Sequence, residues 1–81
     1  MADGIHIGNS IKAELKRQDR SIAWLARQVY CDRGNMSRIL SNKYVDIQML
    51  RRISLCLNYN FYKELYENMQ AELKNAGKDD A

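Results

Sequence analysis

The chain has 81 residues, 13 of them Lys or Arg and 10 Asp or Glu, for a formal net charge of +3, with 46% hydrophobic types and no proline. A chain of this length makes one domain with one modest core, hiding ~60% of its unfolded surface, and leaves no room for a two-lobed cleft enzyme. No stretch approaches the ~18–20 uninterrupted apolar residues of a membrane span, and Met1-Ala2-Asp3-Gly4-Ile5-His6 has no basic segment followed by an apolar run, so no secretory leader is expected.

The apolar spacing is helical almost throughout. Ile7, Ile11 and Leu15 recur every fourth residue and share one face, predicting a first helix that ends around Gln18-Asp19-Arg20. Ser21 is a good cap for a second helix, with Ile22, Leu25, Ala26 and Val29 on one side. Tyr30-Cys31 interrupts it. Asp32 caps a third helix with Met36, Ile39 and Leu40 inward. Ser41-Asn42-Lys43-Tyr44-Val45 is a connecting loop, in which Asn42 is suited to a left-handed, helix-ending backbone. Asp46 caps a fourth helix with Ile47, Leu50, Ile53, Ser54 and Leu57 on its main face. Asn60 caps a fifth, with Phe61, Leu65, Met69 and Leu73 at every fourth position. No strand-like alternation persists, so the expectation is an all-α fold, a compact bundle of five short helices. The domain should span residues 1–76, with 77–81 a disordered tail.

The charge is unevenly placed. Residues 12–52 carry ten basic and four acidic side chains, a balance of +6, whereas residues 53–81 carry three lysines and five acids, a balance of −2. A basic middle and a mildly acidic end make a directed field.

Catalytic chemistry is not evident. Cys31 and Cys56 are far apart, there is no Cys-x-x-Cys pair, and His6 is the single histidine. A structural zinc needs about four ligands at close spacings, so no metal is expected, and the thiols read as reduced small hydrophobes rather than a disulfide. No paired carboxylates, nucleophile–base set or phosphate loop emerges, so an enzyme, a cofactor and a small-molecule ligand are not expected.

The window from Ile22 to Ser41 has helix-turn-helix spacing. Two helices crossing over a turn of about 3–4 residues must share a small apolar wedge, which Leu25, Val29, Met36 and Ile39 can supply. Ala26 must be small, because a larger side chain would push the third helix away. Burying that set leaves Arg33, Gly34, Ser37, Arg38 and Ser41 on the outer face of the third helix. Short and basic side chains near a helix N-terminus are what a DNA major groove accepts.

These residues, Ser21-Ile-Ala-Trp-Leu25-Ala26-Arg-Gln-Val29 and Asp32-Arg33-Gly34-Asn35-Met36-Ser37-Arg38-Ile39-Leu40, resemble the Cro and phage-repressor-like (xenobiotic-response-element type) helix-turn-helix family of DNA-binding regulators. The resemblance covers roughly residues 7–66. It implies a lambda-repressor-like fold and a small single-domain regulator, bound to double-stranded DNA on the nucleoid in the bacterial cytoplasm. Repression by operator occupancy fits a chain with no visible ligand-sensing segment. The alternatives are the DNA-binding antitoxin of a toxin–antitoxin pair, or a protein-interaction module that has lost DNA binding.

Arg33 and Arg38 are the candidates for base-edge contact, with phosphate contact as the alternative for each. Gly34 and Ser37 share that face. Gly34 either allows close approach to a base or phosphate, or marks a frayed first turn. Asn35 is a candidate for base or phosphate contact. Phosphate contacts are expected at Arg20 and Ser21, with Arg17 joining them, and at Asn42, Lys43 and Tyr44. Trp24 is expected to be a partly buried anchor. Glycine is frequent in the family's turn, where this chain has Tyr30, and a left-handed tyrosine costs about 1 kcal/mol. A changed turn geometry is therefore expected, with Cys31 packed beneath. The stripe of Phe61, Tyr62, Leu65, Tyr66, Met69 and Leu73 is the candidate homodimer interface, or the grip on a toxin.

Overall fold

A computed structural model describes residues 5–80, with side chains described for 5–75. Five helices follow one another: α1 (Ile7–Arg17), α2 (Ile22–Gln28), α3 (Arg33–Leu40), α4 (Ile47–Leu57) and α5 (Phe61–Asp80). There are no strands among the described residues.

Each helix starts where a side chain can accept from a free amide. Ser21 Oγ accepts from Trp24 N and Asp32 Oδ2 from Asn35 N, both at 3.0 Å. Asp46 Oδ2 accepts from Gln48 N and Met49 N at 3.1 Å, and Asn60 Oδ1 accepts from Tyr62 N at 3.0 Å. Such a cap contributes about 1 kcal/mol. α1 uses an unexpected group, His6, whose Nδ1 accepts from Asn9 N at 3.0 Å.

Three connections begin with a left-handed residue that is not glycine: Asp19, Tyr30 and Asn58, at φ 59°, 57° and 52°. The bonding is the same each time. After α2, Cys31 N donates to Ala26 O at 2.8 Å and Tyr30 N to Arg27 O at 3.3 Å. Arg20 N and Asp19 N close α1 on Leu15 O and Lys16 O, and Tyr59 N and Asn58 N close α4 on Ser54 O and Leu55 O. The paired bonds satisfy carbonyls that would otherwise be orphaned. Tyr30 thus adopts the left-handed backbone that the tyrosine was expected to disfavour, closed by these two hydrogen bonds. Cys31 is half-buried beneath that turn. Asn42 is not left-handed. α3 ends instead on tighter bonds, Ser41 N to Arg38 O and Asn42 N to Ile39 O.

The core is built from Ile7, Ile11 and Leu15 of α1, Leu25 and Ala26 of α2 with Val29 at its end, Met36 and Leu40 of α3, and Leu50, Ile53 and Leu57 of α4. The α2–α3 wedge has Leu25, Ala26, Val29 and Met36 buried as expected. Ile39 is only half-buried at its rim, and Leu40 takes the inner position. α1 docks on the end of α3 through backbone. Ile7 N donates to Lys43 O at 2.7 Å and Gly8 N to Asn42 O at 3.2 Å. A Cβ at Gly8 would sit 2.0 Å from Leu40 O, so only glycine permits this approach.

Glu14 is a buried carboxylate, 6% exposed. It accepts from the Arg17 guanidinium and from Gln18 Nε2, and Gln18 Nε2 also donates to Leu57 O at 2.8 Å. This arrangement ties α1 to the end of α4.

Two apolar expectations are corrected. Phe61 is 0% exposed, part of the core, and unavailable to a partner. Leu65 and Tyr62 are half-buried, which leaves Tyr66, Met69 and Leu73 outside. The reason is helical pitch. Each four-residue step overshoots a full turn by about 40°, so Leu73 faces about 120° away from Phe61. Ile47 is 68% exposed rather than on the inner face of α4, while Val45, just before the helix, packs against the core. α5 runs as helix through Asp80, while Ala81 and the side chains of the expected tail lie outside the described residues.

Candidate functional site

α3 is amphipathic by construction. Met36 and Leu40 are fully buried, which turns Arg33, Gly34 and Arg38 to the outside. Ser37 is half-buried beside them, and Ser41, at the helix end, is exposed with its hydroxyl donating to Arg38 O at 2.7 Å.

Arg38 is held from within the helix. Its Nη2 donates to Asn35 Oδ1, one turn back. Asn35 Nδ2 in turn donates to Cys31 Sγ at 3.4 Å, and the Cys31 thiol donates to Asp32 O at 3.4 Å. Both ends of the Asn35 carboxamide are engaged within the protein. Gly34 has one close neighbour, the exposed carboxylate of Asp32. A Cβ there would lie 3.2 Å from Asp32 Oδ2, the oxygen that caps α3.

A second basic group sits at the corner of α1 and α2. Lys12, Lys16, Arg20 and Ser21 border a hollow of about 420 Å³, with Asp19 as its acidic member. The Arg20 guanidinium lies 4.4 Å from the centroid of the Trp24 ring. That cation–π contact orients the guanidinium and is worth ~0.5–1 kcal/mol at an exposed site. Trp24 is thus half-buried, as expected, and also a platform for Arg20. Ser21 spends its hydroxyl on the α2 cap.

Arg17 does not join this group. Its Nε lies 3.0 and 3.1 Å from the two Glu14 oxygens, and Nη2 closes a second arm on Glu14 Oε2. Lys12 and Lys16 border the hollow instead. Their four-residue spacing with Arg20 was a visible signal of a shared face.

The third group is the loop after α3. The carbonyls of Asn42 and Lys43 accept from Gly8 N and Ile7 N, which pins the backbone and leaves the side chains of Asn42, Lys43 and Tyr44 exposed.

Four groups have shifted proton affinities, and one of them is the Arg17 guanidinium, pushed up chiefly by its hydrogen bond to Glu14. The Arg17 hydrogen bond is the main cause holding the Glu14 carboxyl below its ordinary range, with Gln18 adding to it against the effect of burial. The Tyr59 hydroxyl, donating to Glu64 Oε2 at 2.8 Å, is pushed up. Burial pushes the Cys56 thiol up, against the opposing charge of Arg20. Among the described residues no group of three or more His, Cys, Asp or Glu is placed to hold a metal ion, and no helix is long and apolar enough to cross a membrane. The chain matches no family model, no curated protein and no solved structure.

Proposed function

We propose that the protein is a sequence-specific double-stranded DNA-binding transcriptional regulator, acting as a homodimer and repressing by operator occupancy. The supporting observation is the outer face of α3, where Arg33, Gly34 and Arg38 are exposed over a buried Met36–Leu40 face and Arg38 is braced by Asn35. Arginine can donate two hydrogen bonds to guanine, discriminating by ~1–3 kcal/mol. Lys43 and the Lys12–Lys16–Arg20 corner supply cations for phosphate on either side of α3 in sequence.

Selection of bound sequences from random duplexes tests the reading. A palindromic winner supports a dimeric reader of two half-sites. Absence of enrichment, with no salt-dependent affinity for any duplex, turns the assignment to a protein-interaction module. A second reading, the antitoxin of a toxin–antitoxin pair, is favoured by the exposed Tyr66, Met69 and Leu73 on α5. It predicts that a small protein encoded beside this one copurifies with it.

A further inference from the structure

A hollow of about 740 Å³ lies between the end of α2 and the outer side of α4, with Trp24, Val29, Tyr30, Arg52, Leu55 and Cys56 around it. Two of these residues are unusual for a water-facing surface. Tyr30 is 95% exposed on a left-handed backbone, and Leu55 is 68% exposed. Leu55 also borders a second hollow, of about 400 Å³, that reaches Tyr59 and Tyr62. Tyr62, whose hydroxyl donates to Ile47 O at 2.6 Å, begins the outward stripe that continues through Tyr66, Met69 and Leu73.

One apolar strip therefore runs from the α2–α4 groove, past Leu55 and Tyr62, onto the ridge of α5. It is concave at one end and convex at the other. The convex end faces solvent, since every residue from Met69 to Asn75 is exposed. The ends also differ in charge. Arg52 borders the groove and Arg20 lies over the Trp24 ring, whereas the ridge from Tyr66 to Asn75 carries exposed Glu67 and Glu72 against the single exposed Lys74.

We propose that a second copy of the chain covers this strip, with α5 of each protomer lying in the α2–α4 groove of its partner. A two-fold axis near Tyr62 pairs the concave end of one strip with the convex end of the other, which is the self-complementarity that an isologous interface requires. The basic rim of each groove then meets the glutamates of the partner's ridge. A lone helix face with three exposed apolar side chains is small beside the ~800 Å² per partner of a stable dimer, and the reciprocal arrangement gives every dimer two such contacts. The inference rests on the homodimer of the proposed function, and is independent of whether the dimer binds DNA.

Sedimentation equilibrium of the full chain, without DNA, tests it. Wild type is expected to be a dimer. Leu55→Glu in the groove and Met69→Lys on the ridge are each expected to raise the dimer dissociation constant at least tenfold, as loss of a central contact does. Both side chains are exposed, so the helical circular dichroism should not change. An equimolar mixture of the two variants should dimerise again. Each mixed pair retains one intact contact and sets the two introduced, opposite charges against each other in the second. Arg38→Ala lies outside the strip and should leave the dimer intact while weakening duplex binding, which separates failure of this inference from failure of DNA recognition. A monomeric wild type overturns the proposal and leaves the strip to a different protein. A Leu55→Glu variant that still dimerises while Met69→Lys does not overturns it in favour of α5 pairing with α5. A mixture that stays monomeric also overturns it.

Discussion

Asn35 Oδ1 accepts a hydrogen bond from the guanidinium of Arg38, while Asn35 Nδ2 donates to Cys31 Sγ at 3.4 Å. The turn before α3 is thereby connected to a side chain in the middle of the helix. Arg38 is long and exposed, and an unrestrained arginine gives up much rotamer freedom on docking. The Asn35 amide removes part of that cost in advance.

Arg38→Ala should therefore weaken binding to a selected duplex by ~1–3 kcal/mol and relax preference at one base position. Asn35→Ala should weaken it less, and the double variant should lose less than the sum of the two single losses. Anisotropy titrations of the three variants check this. Additive losses would show that Asn35 contacts DNA on its own account.

The two helical glycines should behave differently. Gly8→Ala places a Cβ 2.0 Å from Leu40 O and 2.5 Å from Asn42 O, so the backbone must shift and both α1–loop bonds are strained. A loss of at least ~1–3 kcal/mol is expected, as for overpacking. Gly34→Ala needs a movement of a few tenths of an ångström from Asp32, and gains about 1 kcal/mol of helix propensity in return. Its net effect should be small. Urea unfolding of both variants reads the contrast.

Tyr30→Gly should raise monomer stability by about 1 kcal/mol, because glycine removes the left-handed steric penalty at φ 57°. The same change strips an aromatic from the proposed dimer groove. Denaturation midpoint and dimer dissociation constant should therefore both rise, an opposition that a purely structural tyrosine would not produce.

Glu14 gives a signed pH dependence. Its carboxyl in the folded protein titrates below the ordinary 4.5, chiefly because Arg17 donates to it. The unfolded chain thus binds this proton more readily than the folded one. The stabilisation is fully present above the unfolded value and is lost as pH falls through the folded one. Glu14→Gln should lower stability at neutral pH and flatten the decline below pH 4.5, measured by thermal unfolding across the acid range.

Much of the local order was legible because it depends on neighbouring residues. Ser21, Asp32, Asp46 and Asn60 cap as their side chains suggest, and the α2–α3 wedge follows from spacing. His6 escaped because imidazole is not among the common capping groups. Gly8 escaped because its constraint comes from Leu40 and Asn42, more than thirty positions away. The α5 pattern misled because a run of four-residue steps drifts around the helix. It begins at Phe61 in the core and ends at Leu73 in solvent. At the candidate site, the exposed arginines of α3 were legible from the buried Met36 and Leu40 on its other face. The capture of Arg17 by buried Glu14 was not, since sequence does not reveal which acid loses its water.

The most direct test of the central claim is the equilibrium affinity of wild type, Arg38→Ala and Lys43→Ala for a selected duplex and its scrambled counterpart, over a series of salt concentrations. Arg38→Ala should lose most of its affinity for the selected duplex and little for the scrambled one. Lys43→Ala should weaken both alike and lower the salt slope by about one unit. Equal losses on both duplexes from Arg38→Ala, or no salt-dependent binding by wild type, would contradict sequence recognition by α3.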